Sequence, residues 1–191
     1  MIYKDINDIP KDKYSVYYID FAWWWPKRNK GTKFGGGTPY PTMRIGEIYK
    51  YCILLSDKIP DGSVCFSWIN TNYNSDADLQ ARLKTFELMG FRNTGIAFSW
   101  EKVSKSGKTR KLPGHYQSNS IELCFLGIKG RVTDKQAIRM WEQTYRLPLE
   151  DHSKKPDIFR YKIDEIFPVG DRLELFARQS VKNWSGFGNE I

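Results

Sequence analysis

Two segments near opposite ends of this 191-residue chain constrain its fold more than any other feature. Tyr17-Tyr18-Ile19-Asp20-Phe21-Ala22-Trp23 and Arg172-Leu173-Glu174-Leu175-Phe176-Ala177-Arg178 each read as a buried strand running straight into polar or aromatic residues. In an open α/β sheet, ligands sit beyond the carboxyl ends of the strands, where the strand order reverses. One of these strand ends carries a carboxylate and aromatic rings, the other a carboxylate and a guanidinium. Together they point to one shared cleft, and so to an enzyme.

Strand signals alternate with helical stretches along the rest of the chain, a pattern of α/β rather than all-β folds. Strands are expected over 14–20, 64–69, 94–100, 121–128 and 173–177. A helix is expected near 45–56, capped by Thr42, with Ile45, Ile48, Tyr49 and Cys52 on one face. A second covers 76–89, with Leu79, Leu83, Phe86 and Leu88 as its apolar positions and Gly90 ending it. A third covers 157–167 after Pro156, and 134–145 reads as a helix or a short excursion. A glycine-rich loop (Gly31, Gly35, Gly36, Gly37) ends in Pro39-Tyr40-Pro41. Residues 102–119 lack periodicity and read as a long, mobile, basic loop of the kind that is functional or disordered. With no internal repeat and no dividing linker, a single domain over 1–191 is expected.

Composition narrows the function classes. No apolar run approaches the roughly 20 residues that span a bilayer, and residues 1–13 hold no signal-peptide core. A cytoplasmic protein is expected. Cys52, Cys65 and Cys124 lie far apart, in neither a metal nor a disulfide spacing, and read as small buried hydrophobes. The formal net charge is +8. Basic proteins bind polyanions through counterion release, although a merely soluble surface gives the same sum. Lys27, Arg28, Lys30 and Lys33 form one cluster; Lys102, Lys105, Lys108, Arg110 and Lys111 form another. Each follows an expected strand, so both can rim the same end of the sheet.

A set of short motifs, in order, carries a resemblance. These are Asp20-x-x-Trp23, Tyr40-Pro41-Thr42-Met43, Phe66-Ser67-Trp68, Trp100-x-Lys102, Gly114-His115-Tyr116, the run from Glu122 to Gly130, His152-Ser153-Lys154-Lys155-Pro156, Glu174-Leu175-Phe176-Ala177-Arg178 and Gly188-Asn189-Glu190. In this order they resemble the MT-A70 family of S-adenosylmethionine-dependent adenine N(6)-methyltransferases, from about Tyr14 to the C-terminus. The resemblance implies a Rossmann-like class I methyltransferase fold in permuted order, catalytic strand first and cofactor strand last. It implies a nucleic-acid substrate, DNA in preference to RNA, and no metal; the short chain fits a phage or bacterial enzyme and, with little surface to spare, weak sequence selectivity is expected.

The same resemblance distributes roles. Asp20 and the carbonyl of Phe21 would accept from the adenine amine, and Trp23 would stack on the base. Lys155, Glu174, Phe176, Arg178, Asn189 and Glu190 would contact S-adenosylmethionine, with Glu174 near the ribose. Tyr40, Trp68, Asn70, Trp100, Lys102, His115 and Glu122 would line the substrate side, with Trp68 and Trp100 reading equally well as core rings. Residues 104–111 offer phosphate contacts. A homodimer is plausible, with Trp24, Trp25 or Trp141 at its interface.

The chain departs from the family pattern at one place. The usual tetrapeptide is Asp-Pro-Pro-Trp; here it is Asp20-Phe21-Ala22-Trp23. Prolines fix φ and remove N–H donors, so Phe and Ala restore both donors and loosen the turn. Two alternatives stay open on this ground: a catalytically inactive or partner-dependent nucleic-acid-binding subunit, or an enzyme with a different acceptor base.

Overall fold

Eight strands form one sheet in a computed structural model of the chain, which describes residues 1–24, 41–69, 76–111, 118–132, 140–149 and 154–188. In chain order the elements are β1 (Ile2–Tyr3), β2 (Tyr14–Ile19), α1 (Ile45–Ser56), β3 (Val64–Ile69), α2 (Asp76–Leu88), β4 (Arg92–Val103), β5 (Ile121–Ile128), β6 (Thr144–Pro148), α3 (Ile158–Ile166), β7 (Asp171–Leu175) and β8 (Trp184–Phe187). The strand order is β1-β8-β7-β2-β3-β5-β4-β6. Only β5 runs against its neighbours; every other pairing is parallel. The fold is thus mixed α/β, with a mostly parallel sheet of Rossmann-like character.

The two end segments meet. β2 and β7 are adjacent parallel strands, with Tyr18 opposite Glu174 and Ile19 opposite Leu175. Helices cover both faces, which is why the central strands read as near-continuous apolar runs; every residue of β3 is buried. Side chains alternate between the faces with the period of two that a strand imposes. Tyr17, Ile19, Cys65, Ile69, Leu173 and Leu175 pack with Ile48, Cys52 and Leu55 of α1 and Phe86 of α2. Val16, Tyr18, Phe66, Trp68, Phe98 and Trp100 pack with Phe159, Ile163 and Ile166 of α3. Gly127 of β5 leaves room for the Phe86 ring, which a Cβ there would strike.

Gly90 ends α2 as its position predicts. Its φ is +82°, Phe91 N–H donates to the Phe86 carbonyl at 2.8 Å, and Gly90 N–H donates to Glu87 at 2.9 Å. This is the paired bonding that a left-handed residue gives a helix end.

Four local expectations are corrected. Arg44, not Thr42, stands at the start of α1, where Glu47 accepts from the Arg44 N–H at 2.7 Å. The buried face of α1 is Ile48, Cys52 and Leu55, leaving Ile45 exposed. β4 runs on to Val103, and a Val103–Thr109 bridge closes a hairpin over what read as a shapeless loop, with residues 112–117 lying outside the described residues. Thr144 and Tyr145, expected in a helix or a short excursion, open β6, which pairs with β4; residues 133–139 are not among those described. β1 and β8 extend the sheet beyond β7, too short to announce themselves by periodicity. Among the described residues no helix is long and apolar enough to cross a membrane.

All three cysteines are free and buried. Burial pushes the Cys52 thiol up to about 12 and those of Cys65 and Cys124 well above their usual value. The native protein should therefore not react with an aromatic disulfide reagent at pH 8, and all three thiols should titrate once it is unfolded in guanidinium. Rapid labelling of the native protein would place a cysteine outside the core.

Candidate active site at the strand tips

Asp20 is the residue after β2, so the sheet delivers its carboxylate to the carboxyl edge of the parallel strands. β5 runs antiparallel between β3 and β4, and its first residues therefore lie at that same edge, with Glu122 opposite Trp100. Lys102 is the second-to-last residue of β4 there, and Lys155 arrives on the segment before α3. The four side chains form an alternating row. Lys155 Nζ lies 2.7 Å from Asp20 Oδ2 and 3.2 Å from Glu122 Oε2, while Lys102 Nζ lies 2.5 Å from Glu122 Oε1.

Aromatic rings floor this row. The Lys155 ammonium stands 5.5 Å from the centre of the Trp68 ring and Lys102 stands 5.4 Å from Trp100. Both rings are fully buried, edge to face at 6.4 Å. Trp68 Nε1 donates to Tyr18 Oη at 2.7 Å, and Trp100 Nε1 to the Leu147 carbonyl at 3.1 Å. Expected as substrate contacts or core rings, they are core rings here; their work is to hold two ammoniums over π faces.

The electrostatics follow from burial and pairing. Burial alone would raise the Glu122 carboxyl, but the ammoniums of Lys155 and Lys102 outweigh it and hold the group at about 2. Burial opposes charge on Lys155 as well; Asp20 and Glu122 outweigh it and raise the ammonium above its ordinary value. Lys155 is 8% exposed at its side chain and Asp20 21%. The row thus presents one partly open carboxylate, pinned by a cation that does not release its proton at neutral pH. Such a group serves as a fixed hydrogen-bond acceptor.

A second buried pair lies one strand away. Arg160 grips Glu174 through Nε to Oε2 at 2.7 Å and Nη2 to Oε1 at 2.5 Å. The guanidinium also reaches Asp157 Oδ1 at 2.8 Å and covers the Tyr18 ring at 5.3 Å. In place of the expected ribose acceptor, the structure shows Glu174 buried with both oxygens engaged by Arg160. The sequence signal for Arg160 was its spacing of three from Asp157, a helical ion-pair interval.

The segment after Asp20 is held by packing. Phe21 is buried, with its ring 5.3 Å from both Trp23 and Phe176. Met43 N–H donates to the Ala22 carbonyl at 2.8 Å, and Trp24 N–H to the Met43 carbonyl at 2.8 Å. The Phe21 carbonyl accepts from Trp23 N–H at 2.9 Å. Trp23, expected to stack on a base, is only 9% exposed, and the Arg82 guanidinium lies 4.8 Å from its ring centre. It packs.

Phe176 carries the aromatic contacts onward. Its φ of +61° turns the chain sharply after β7, and its ring meets Tyr51 at 5.7 Å and Phe187 at 5.7 Å. Beyond them opens a cavity of about 490 Å³ lined by Lys4, Asp5, Ile6, Glu47, Lys50, Tyr51, Leu54 and Phe187. It lies where β1 and β8 end, on the α1 side of the sheet. Asp5, Ile6 and Tyr51 carried no motif that would have singled them out. Arg178 is partly buried after β7. Tyr40, Asn70, His115, Asn189 and Glu190 lie outside the described residues, as does Trp25. Trp141, expected at a dimer interface, packs against the α3-side core and donates to the Ala97 carbonyl at 3.1 Å. Among the described residues no cluster of His, Cys, Asp or Glu is placed to hold a metal.

Comparison with known proteins gives these residues a context. The MT-A70 family model matches residues 14–190. Type II methyltransferase M.MunI of Mycoplasma sp is 25% identical over 199 aligned residues, covering 96% of this chain and 80% of that protein. The N(6)-adenosine-methyltransferase MT-A70-like protein of Arabidopsis thaliana is 29% identical over 93 residues, 48% of this chain and 13% of that protein. A probable N(6)-adenosine-methyltransferase MT-A70-like protein of Oryza sativa subsp. japonica matches equally, over 12% of its own length.

The charged row generates a stability prediction. Glu122→Gln leaves Lys102 without its carboxylate and should cost about 3 kcal/mol at pH 7. A carboxyl depressed from 4.5 to about 2 contributes fully above its unfolded value and loses that contribution as pH falls between the two. The urea midpoints of wild type and Glu122→Gln should therefore lie far apart at pH 7 and converge by pH 2. A constant gap across that range would show that packing, not charge, is what the substitution removes.

Proposed function

Because the chain belongs to the MT-A70 family, we propose that it transfers a methyl group from S-adenosylmethionine to the exocyclic amine of adenine in nucleic acid. The observation that carries this reading is the Asp20 carboxylate, pinned by Lys155 at the strand tips and partly open to a ligand. DNA is kept ahead of RNA as the motif resemblance implies; a type II methyltransferase matches over nearly the full chain. The adenosine methyltransferases match only about half the chain.

The cavity fits the cofactor. Its volume falls in the usual range for ligand sites, about 300–1,000 Å³. Ile6, Tyr51, Leu54 and Phe187 give it apolar walls, Asp5 and Glu47 give it carboxylates suited to ribose hydroxyls, and Lys4 and Lys50 give it ammoniums suited to the cofactor's carboxylate. The motif residues Asn189 and Glu190 follow Phe187 and Gly188 directly in sequence. When bound, S-adenosylmethionine supplies an electrophilic methyl group on a cationic sulfur.

The chain's own residues must then make a poor nucleophile attack. The lone pair of the adenine amine is delocalised into the ring. Asp20, accepting from one amino hydrogen, favours a pyramidal nitrogen whose lone pair is directed out of the ring plane. The Phe21 carbonyl has a second lone pair free for the other hydrogen, its first being used by Trp23 N–H. Acceptors fixed before the substrate arrives act mainly in the transition state. Lys155 serves this chemistry by orienting Asp20, and Glu122 by orienting Lys155. The buried Phe21 speaks for an intact catalytic turn despite the missing prolines.

The hairpin after β4 places positive charge at the same edge. Lys105, Lys108, Arg110 and Lys111 are all exposed on it. Its base is tied by Thr109 Oγ1 and Arg146 Nε, which donate to Glu101 at 2.6 and 2.8 Å. These residues are suited to phosphate contacts, which position a strand without reading its sequence.

The test is methyl transfer from labelled S-adenosylmethionine to single-stranded and duplex DNA and RNA, with products identified by mass spectrometry of nucleosides. The expected product is N(6)-methyladenine in DNA. Asp20→Ala should lower turnover by about 100-fold or more, as loss of a preorganised transition-state contact does, while cofactor binding by calorimetry persists. Cofactor binding without transfer to any of the four polymers would overturn the assignment.

A further inference from the structure

We propose that Trp24 and Arg44 form a stacking platform for an unpaired nucleobase flanking the target adenine, an inference that rests on the nucleic-acid reading above. Neither residue belongs to a family motif. The parallel bridge between Trp23 and Met43 holds this stretch extended, so the rings of Trp23 and Trp24 point in opposite directions. Trp23 turns inward beneath Arg82, whereas Trp24 is 45% exposed. Trp24 N–H donates to the Met43 carbonyl and Met43 N–H to the Ala22 carbonyl, which fixes the ring's position four residues from Asp20. The Arg44 guanidinium lies 5.2 Å from its ring centre.

Structural stability does not account for this pair. Arginine is not a favoured residue at a helix start, where Ser, Thr, Asp and Asn prevail. A cation there also opposes the helix dipole. Glu47, not the Arg44 side chain, satisfies the exposed N–H. The pair instead has the chemistry of a base-binding surface. An indole face stacks on any nucleobase, and a guanidinium plane against it adds cation–π attraction and a charge for the neighbouring phosphate. The overall charge of +8 and the basic hairpin at the same sheet edge draw a polyanion toward it. Because a ring can stack only on a base whose face is free, the ligand is single-stranded or locally opened nucleic acid.

The experiment uses the full chain with S-adenosylhomocysteine present. A fluorescent single-stranded DNA with one adenine among pyrimidines is compared with the same strand carrying an abasic residue beside the adenine. By anisotropy, Trp24→Ala should raise the Kd for the intact strand about tenfold, and Trp24→Phe should restore most of it. Wild type should lose about as much on the abasic strand, on which Trp24→Ala loses nothing further. In turnover assays the effect should fall on KM. Equal affinity of wild type and Trp24→Ala for the intact strand overturns the platform. So does a Trp24→Ala penalty undiminished on the abasic strand, or one that coincides with conversion of a dimer to a monomer in sedimentation. Since anisotropy needs no turnover, Trp24-dependent binding without methyl transfer would refute the methylation reading and leave the platform standing. Methyl transfer indifferent to Trp24 would do the reverse.

Discussion

Everything at the strand tips depends on one buried ammonium, Lys155 between Asp20 and Glu122. A single lysine in that position would be costly, and so would either carboxylate without it, because burial penalises each charge. Their mutual pairing is therefore a geometric demand on the fold. β2 must end at the same sheet edge as the start of β5, with only β3 between them, and Lys155 on the chain entering α3 must reach both. The antiparallel course of β5 meets this demand, because a parallel strand would bring its last residue to this edge instead of Glu122. Lys102 then completes the row by neutralising the second oxygen of Glu122.

The altered tetrapeptide is best understood against this frame. Two prolines would stiffen the backbone after Asp20 through their rings. Here the same stretch is stiffened from outside, by Phe21 wedged between Trp23 and Phe176 and by the two backbone hydrogen bonds to Met43. Covalent restraint has been exchanged for packing. The exchange couples the acceptor to the aromatic contacts that lead through Phe176 and Tyr51 to the cavity, so occupancy of the cavity and the setting of the Phe21 carbonyl share a set of contacting rings.

What was legible in the sequence was what long periodic segments and charged motif residues make visible. That the ends of β2 and β7 share one region of the sheet could be read from their apolar runs and charged ends, and α2 and α3 from their apolar spacing and their Gly90 and Pro156 boundaries. β1, β6 and β8, of two, five and four residues, could not, since their strand character comes from neighbours that complete the sheet. The roles of side chains were harder than their presence. Asp20, Lys155, Glu122 and Lys102 were all singled out, yet as members of three separate groups; only the register of β5 reveals that they touch. Trp23 and Glu174 read as ligand contacts because a motif does not say which way a side chain turns. The exposed ring is the neighbouring one, Trp24.

The two faces of the sheet divide the chemistry. On the α3 side lie the fixed charges, in which Asp20, Lys155, Glu122 and Lys102 sum to zero, as do Arg160 and Glu174. On the α1 side lie the linked rings of Phe21, Phe176, Tyr51 and Phe187, and the cavity. The cavity on the opposite face balances Lys4 and Lys50 with Asp5 and Glu47, so its lining adds no net charge against a cationic sulfonium. Because the charged row cancels internally, it acts only at contact distance, and attraction of a polyanion over longer range falls to the exposed basic residues. Close-range orientation of the amine and long-range capture of the strand are thereby assigned to different residues, so either can change in sequence without disturbing the other.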